Sequence, residues 1–130
     1  MAGIVLDTTV LIDALRGRPV VGRLRRLRGD GLPLLTTAVN VEEIVRGLRP
    51  EEEPAGRALF AGLHVLAVTR VEGDLAGRWR LDTAAKGRTL HQADCLIAAC
   101  AVSAGARLAT GNPGDFELAG LEVESWPVGS

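Results

Sequence analysis

Short runs of apolar residues recur along the chain, separated by segments with helical periodicity. The first run, residues 3–6, has the unbroken apolar character of a strand that is buried on both faces of a parallel sheet. Alternation of such strands with helices predicts an α/β fold: a three-layer α/β/α sandwich around a central, mainly parallel sheet of four to five strands. The other predicted strands are residues 34–36, 65–68, 107–109 and, as a short fifth strand, 121–124.

Six segments carry the apolar spacing that is typical of helices. Residues 93–102 form the most apolar of them, and we expect this helix to be largely buried. Residues 71–86 place Leu75, Trp79 and Leu81 near one apolar side of a second helix. The remaining predicted helices are residues 10–15, residues 20–28, a segment that Thr37 or Asn40 caps and that runs to Leu48, and residues 51–62.

The composition restricts the class of protein. With 130 residues, of which 47% are hydrophobic and 24% charged, the chain fits one globular domain over residues 1–130. Residues 126–130 are left open as either a clasp or a flexible tail. The net charge of −1 does not signal a nucleic-acid binder, and an aromatic content of 3% argues against recognition of bases by stacking.

The sequence also predicts a cytoplasmic protein. The uncharged stretch 95–106 is shorter than the roughly 20 residues that span a bilayer, and no basic segment precedes the first apolar run as in a signal peptide. Cys95 and Cys100 fall on different faces of one predicted helix, so we expect reduced core cysteines without a disulfide or a zinc site.

Four acidic residues occupy positions where a purely structural role is hard to defend. Asp7 directly follows the first predicted strand, Asp115 lies in the loop after the fourth, and Glu43 is on the helix after the second. Asp94 begins the most buried helix, and no Lys or Arg lies within four positions of it. Ligands of parallel sheets bind beyond the carboxyl ends of the strands, so these carboxylates are expected to converge there.

Converging carboxylates repel one another, so either their pKa values rise or a divalent cation binds. An oxygen-only donor set favours Mg²⁺ or Mn²⁺ over zinc, and the chemistry that such a site supports best is hydrolysis of a phosphodiester. Structural alternatives remain open at this point: Asp7 and Asp94 could cap helices, Glu43 could face solvent as Glu42 could, and Asp115 could be a turn residue.

Four segments carry a family resemblance. Residues 7–13 read DTTVLID, residues 43–47 read EIVRG, residues 94–99 read DCLIAA, and residues 110–116 read TGNPGDF. In this order, and over nearly the whole chain, they resemble the motifs of the PIN-domain ribonucleases, in particular the VapC-type toxins of toxin–antitoxin pairs. Each motif alone is weak, whereas four in order are a specific signal.

The resemblance implies that Asp7, Glu43, Asp94 and Asp115 are catalytic metal ligands. Thr8 would match a hydroxyl that steadies the first Asp. Asn112 matches a position that holds Asn or Asp in the family, and since a neutral amide is the poorer ligand, Asp115 is favoured over Asn112. His91 lies one helical turn before Asp94, but a peripheral or structural role is the favoured interpretation, and no protein general base is assigned.

Basic residues provide candidates for RNA contact. Six arginines lie between Arg16 and Arg28, and phosphate binding and a solvated helix face are equally good interpretations of this cluster. Arg46 and Arg88 stand close in sequence to Glu43 and Asp94. The resulting candidates are Arg46, Arg88, Arg23, Arg25 and Arg26.

The sequence hypothesis is therefore a Mg²⁺- or Mn²⁺-dependent endoribonuclease that acts as a toxin. The resemblance further implies a cognate antitoxin, a homodimer, and a heterotetramer or larger assembly with the antitoxin. The alternative is a PIN-like RNA-binding or regulatory module without turnover. A response-regulator receiver and a haloacid-dehalogenase phosphatase fit poorly, because Lys86 ends a helix and Thr9 stands where the second Asp is needed.

Overall fold

The computed structural model describes residues 2–130 and contains one five-stranded sheet, all of whose strand pairs are parallel. The strand order is β3-β2-β1-β4-β5, so β1, the first strand in the sequence, lies at the centre of the sheet. The predicted α/β/α sandwich is confirmed, with five strands. The strands are β1 (Ile4–Leu6), β2 (Leu34–Thr37), β3 (His64–Leu66), β4 (Arg107–Thr110) and β5 (Val123–Ser125).

Six α-helices cover the two faces of this sheet. The predicted helices are all present, with ends that differ by a few residues, and the segment predicted to begin a helix at residue 51 opens with a 3-10 turn instead. The helices are α1 (Thr8–Leu15), α2 (Val20–Gly29), α3 (Ala38–Gly47), α4 (Glu53–Ala61), α5 (Arg70–Ala85) and α6 (Gln92–Ser103); the 3-10 turns are Pro50–Glu52 and Pro113–Phe116.

The alternation of side chains along β1 divides the core into two parts. Ile4 and Leu6 point into a cluster with residues of α1, α2 and α3, whereas Val5 points into a cluster with α5 and α6. All three strand residues are inaccessible to solvent, which explains the unbroken apolar run in the sequence. As predicted, α6 lies in the core, and Cys95 and Cys100 are buried and free.

Some expectations at the periphery are wrong. β3 begins one residue and ends two residues earlier than predicted, and Val68, placed in that strand by the sequence, lies outside it and is exposed. Leu81, assigned to the apolar side of α5, is 71% exposed, while Trp79 on the same helix is buried. Both errors lie at the edge of the structure, where apolar composition does not guarantee a packing partner.

The C-terminal segment, beginning with Trp126, contacts the body of the protein. Trp126 is 3% exposed, and its ring lies under the guanidinium group of Arg23, whose Cζ is 3.7 Å from the ring centroid. The backbone N–H of Gly129 donates to Oδ2 of Asp13 at 2.8 Å. Within residues 2–130, no helix is long and apolar enough to cross a membrane.

Candidate active site

The strand order places a crevice at the carboxyl end of β1. The chain leaves β1 toward β2 and β3 on one side, and β4 and β5 lie on the other side. Such a reversal of direction separates the loops that follow the two adjacent strands, and ligands of open parallel sheets bind there. Asp7 directly follows β1 and Gly111 directly follows β4, so the first and the last sequence motifs meet at this point.

Asp7 is the most deeply buried of the four acids, at 6% exposure. Its Oδ2 accepts a hydrogen bond of 2.7 Å from the hydroxyl of Thr110, and its Oδ1 accepts one of 3.3 Å from Nδ2 of Asn40. Burial raises the pKa of Asp7, and the bond from Thr110 is the largest of the effects that oppose this rise. The carboxylate is therefore held in a fixed orientation at the N-terminus of α1.

Asn40 organises the neighbouring side chains from the first turn of α3. It is fully buried, and its Oδ1 accepts a 2.7 Å hydrogen bond from the hydroxyl of Thr37. That bond leaves Nδ2 facing Asp7 and the hydroxyl of Thr8, which accepts from it at 3.0 Å. Thr37 is also the residue that caps α3, since its hydroxyl accepts from the backbone N–H of Asn40, so the sequence alternative of Asn40 as the cap is not realised.

The hydroxyl of Thr8 contacts Glu43, whereas the family resemblance implied a contact with Asp7. This hydroxyl donates a 2.7 Å hydrogen bond to Oε1 of Glu43, whereas the hydroxyl that binds Asp7 belongs to Thr110. Thr8 affects Asp7 through its backbone N–H, which lowers the pKa of that carboxyl. The side-chain role expected of Thr8 is thus corrected: it links α1 to Glu43 on α3.

Asp94 completes the acidic cluster from the first turn of α6. Burial is the main cause that raises the pKa of Asp94 to about 6, and the negative charges of Asp7, Asp115 and Glu43 raise it further. The other three acids predicted from the sequence therefore all lie within range of the charge of Asp94. Glu42, the neighbour that could have replaced Glu43, faces solvent and pairs with Arg46 at 3.6 Å.

Asn112 and Asp115 are both exposed and lie in the turn after β4. The backbone N–H of Asn112 donates to the hydroxyl of Thr110 at 3.1 Å, and the backbone N–H of Asp115 donates to the carbonyl of Asn112 at 3.0 Å. Asp115 lines a small cavity of about 140 Å³ together with Asp94. Of the two residues, Asp115 is the one that faces the acidic cluster.

The donor set fits a divalent cation in its chemistry. Among residues 2–130, no three acidic, histidine or cysteine side chains lie close enough together to enclose a metal ion by themselves. A closed cage is not needed for Mg²⁺, which keeps several water ligands and binds through one or two carboxylates. The negative charges of Asp7, Asp115 and Glu43 add to the rise in the pKa of Asp94 that burial causes, and a cation would offset their repulsion.

Positive charge flanks the acids on two sides. Arg88 and His91 line the cavity that holds Asp94 and Asp115, and the electrostatic effect of His91 lowers the pKa of Asp94. A second cavity, of about 260 Å³, adjoins Glu43 and is lined by Arg16 among others. Arg49, which the sequence analysis did not single out, also lines this second cavity.

The arginine cluster between Arg16 and Arg28 does not form a single free face. Arg18 donates to the buried Asp13 at 2.6 Å, and Arg28 donates to the carbonyl of Gly62 at 2.7 Å. Arg23 stacks on Trp126 and lies 3.5 Å from Glu124, so its charge is already engaged within the chain. Arg25 and Arg26 are exposed.

Sequence reasoning missed two residues of this site. Thr110 was quoted within a motif without a role, and Asn40 was considered as a helix cap alone. The available signal was a polar residue at the end of a buried strand and another in the first turn of the next helix, but neither reveals a partner on a distant segment.

The family model for the PIN domain matches residues 4–120. The chain belongs to the PIN-domain family. Ribonuclease VapC19 of Mycobacterium tuberculosis (strain CDC 1551 / Oshkosh) is 32% identical to this PIN domain over 118 residues, which are 87% of this chain and 91% of the relative.

Solved structures agree in fold with this PIN domain. DNA-bound VapBC from Salmonella typhimurium is 26% identical, with a TM-score of 0.83 over 97% of this chain and 99% of the matched one. VapBC2 from Rickettsia felis, bound to a DNA fragment from its promoter, has a TM-score of 0.81 at 21% identity and covers 95% and 98% of the two chains.

Proposed function

We propose that this PIN domain is a metal-dependent endoribonuclease that hydrolyses RNA phosphodiester bonds and acts as the toxin of a toxin–antitoxin pair. The observation that carries the proposal is the convergence of Asp7, Glu43, Asp94 and Asp115 at the switch point of the sheet. The ribonuclease named among its relatives supports the choice of RNA as the substrate. The reaction takes place in the cytoplasm.

In this proposal the four acids are catalytic and hold Mg²⁺ or Mn²⁺. A cation held there would act as a Lewis acid that activates water and stabilises the charge of the phosphoryl transition state. Thr110 and Asn40 orient Asp7, Thr8 orients Glu43, and Asn112 supports the turn that carries Asp115. Because these donors are in place before substrate arrives, little reorganisation is required during the reaction.

Hydrolysis adds water across one P–O bond. The oxygen of water bonds to phosphorus, the bond to one ribose oxygen breaks, and that oxygen leaves with a proton. No histidine of the chain is assigned to either proton transfer. Arg88 and His91, beside Asp94 and Asp115, are placed to bind a phosphate that neighbours the reacting one.

Arg46, Arg25 and Arg26 remain candidates for further RNA contacts from the exposed surface, and Arg23 is a weaker one because Trp126 and Glu124 already engage it. Contacts of this kind add affinity without sequence preference, and their strength falls as salt rises.

The proposed partner is a cognate antitoxin protein, as VapBC complexes among the solved structures of similar fold support. We further propose a homodimer that forms a heterotetramer or a larger assembly with this antitoxin. Size-exclusion chromatography with light scattering, on the protein alone and after co-expression with the protein encoded beside it, measures both assemblies directly.

The deciding experiment compares neighbouring glutamates. Glu43→Gln and Glu42→Gln remove the same charge one residue apart, but Glu42 faces solvent. Purified wild type and Glu42→Gln are expected to cleave RNA with Mg²⁺ or Mn²⁺ and to stop when EDTA is added, while Glu43→Gln does not cleave. RNA binding without cleavage by the wild type under every metal condition would favour the RNA-binding module instead.

The same comparison applies in cells with Asp7→Ala. Induction of the wild type is expected to arrest growth and to create new RNA 5′ ends at defined positions. Equal arrest and equal cleavage by Asp7→Ala would refute metal-dependent catalysis through Asp7.

A further inference from the structure

The last five residues of the chain lie against the loop that follows β4. An ideal Cβ built on Gly111, the first residue of this loop, would lie 2.9 Å from Cγ2 of Val128 and 3.3 Å from both Cβ and Oγ1 of Thr9. Gly111 is therefore enclosed between Val128 on one side and α1 on the other, and a side chain at this position would require Val128 or Thr9 to shift. Its backbone N–H donates to the hydroxyl of Thr9 at 2.8 Å.

The same segment is anchored to α1 one helical turn further on. Asp13, four residues after Thr9 and thus on the same face of the helix, accepts the backbone N–H of Gly129 at 2.8 Å. Asp13 is 3% exposed, and Arg18 fixes its other oxygen at 2.6 Å. At the start of the segment, the backbone N–H of Trp126 donates to the carbonyl of Thr110 at 2.8 Å.

These contacts act on the residues that build the site. Thr110, Gly111 and Asn112 are consecutive, and they are tied respectively to Asp7, to Thr9 and to the hydroxyl of Thr110. Val128 is 60% exposed, so its contact with Gly111 contributes little to the core. Its packing instead restricts a backbone whose position sets the geometry between Asp7 and the turn that carries Asp115.

We propose that residues 127–130 are a positioning element of the active site, which holds Gly111 against Thr9 and thereby fixes the loop between β4 and Asp115. Val128 and Asp13 are its positioning residues. The expected effect of this element on cleavage rests on the proposed nuclease function. Its expected effect on the Gly111 backbone does not depend on that function.

The test compares deletion of residues 127–130, Val128→Gly, Val128→Thr and Leu63→Ala with the wild type. Val128→Thr keeps the branched shape at an exposed position. Leu63 packs into the core just before β3, at the amino edge of the sheet and away from the site, so its variant controls for lost stability. Each protein is assayed well below its Tm for kcat and KM on RNA, for Mn²⁺ affinity, and for hydrogen exchange at the Gly111 amide.

We expect the deletion and Val128→Gly to lower kcat roughly 10- to 100-fold, the cost of a displaced catalytic group, with a smaller change in KM. Mn²⁺ affinity should weaken, and Gly111 should exchange roughly tenfold faster or more. Val128→Thr should match the wild type, and Leu63→Ala should lower the Tm while keeping kcat.

A deletion variant with the same kcat, Mn²⁺ affinity and Gly111 exchange rate as the wild type would overturn the proposal. An equal loss of kcat in Leu63→Ala would overturn it as well. A wild-type protein that cleaves no RNA would refute the nuclease function alone, because Mn²⁺ affinity and Gly111 exchange still decide the positioning role.

Discussion

The hydroxyl of Thr110 donates a 2.7 Å hydrogen bond to Asp7, from which 103 positions separate it in sequence. The bond joins the carboxyl ends of β4 and β1, which are neighbours in the sheet, and both residues are buried. A hydroxyl that donates to the ionised carboxylate favours its charged form against the effect of burial. The pairing therefore favours the charged form of Asp7, which is the form that binds a cation.

Thr110→Val should impair both stability and activity. The substitution keeps the branched shape and leaves Oδ2 of Asp7 without this donor, so the pKa of Asp7 should rise further. Loss of a hydrogen bond to a charged group costs about 1.5–3 kcal/mol, which urea denaturation can measure. Thr110→Ser, which keeps the hydroxyl, should restore most of the stability and of the cleavage rate; a Val variant with wild-type values for both would contradict this role.

Stability of the metal-free protein should depend on pH through Asp94. Its pKa is about 6 in the folded protein against an ordinary value of 3.8, so between these values the folded state binds the proton more tightly. The free energy of unfolding should therefore fall as pH rises from about 4 to about 6. The Asp94→Asn variant has no proton to lose at this position over this range. In EDTA, the Tm of Asp94→Asn should therefore rise relative to that of the wild type as pH increases from about 4 to about 6.

Saturating Mn²⁺ should shrink or reverse that difference above pH 6, because the wild-type carboxylate is then ionised and binds the cation. Thermal unfolding of both proteins from pH 4 to pH 8, with EDTA and with Mn²⁺, measures the effect. A Tm difference that is independent of both pH and metal would argue against Asp94 as a ligand.

Asn40→Ala should remove the hydrogen bonds that join α3 to Asp7 and Thr8. It removes the donor to Asp7 and to Thr8 and the acceptor for Thr37, all of them at buried or half-buried positions. Unsatisfied buried groups cost about 1–3 kcal/mol each, although water can enter the space and offset part of that cost. We expect a clear loss of stability in urea and a lower kcat; Val39→Ala, at the preceding half-buried position, is the control for loss of packing alone.

Arg88 and Arg23 should respond differently to removal of their charge. Arg88→Gln should weaken RNA binding and reduce the slope of log K against log salt by about one, as expected for one phosphate contact. Arg23→Gln should chiefly lower the Tm, because it removes a cation that stacks on Trp126. Salt titrations of RNA binding measured with a catalytically inactive variant separate the two, and an unchanged slope for Arg88→Gln would exclude its phosphate contact.

The sequence was sufficient for the architecture because the three central strands, β1, β2 and β4, are buried on both faces. Residues such as Val5 and Leu108 must be apolar wherever they point, so the runs stand out without knowledge of their neighbours. Val68 and Leu81 misled the prediction for the complementary reason: an apolar residue at the edge of the fold is tolerated in solvent and carries no pairing information.

The four acids could be proposed as candidates from the sequence because Asp7 and Asp115 come after strands, Asp94 lies in the first turn of a helix, and Glu43 lies on the helix after β2. The partners of those acids could not. Thr8 was matched to Asp7 by proximity in the sequence, but its hydroxyl turns to Glu43, and the distant Thr110 takes its expected place. Which hydroxyl meets which carboxylate depends on the relative placement of α1, α3 and β4.

The sequence by itself determined the alternation of strands and helices, the aliphatic core and the presence of acidic residues near the strand ends. These features follow from the pattern of apolar and polar residues among near neighbours in the chain. Only the tertiary structure decided that Asn40 and Thr110 donate to Asp7 and that Val128 lies against Gly111. Their contacts cross between segments that are far apart in the chain, and hydrogen bonds of this kind depend on distances that are set only when the layers pack.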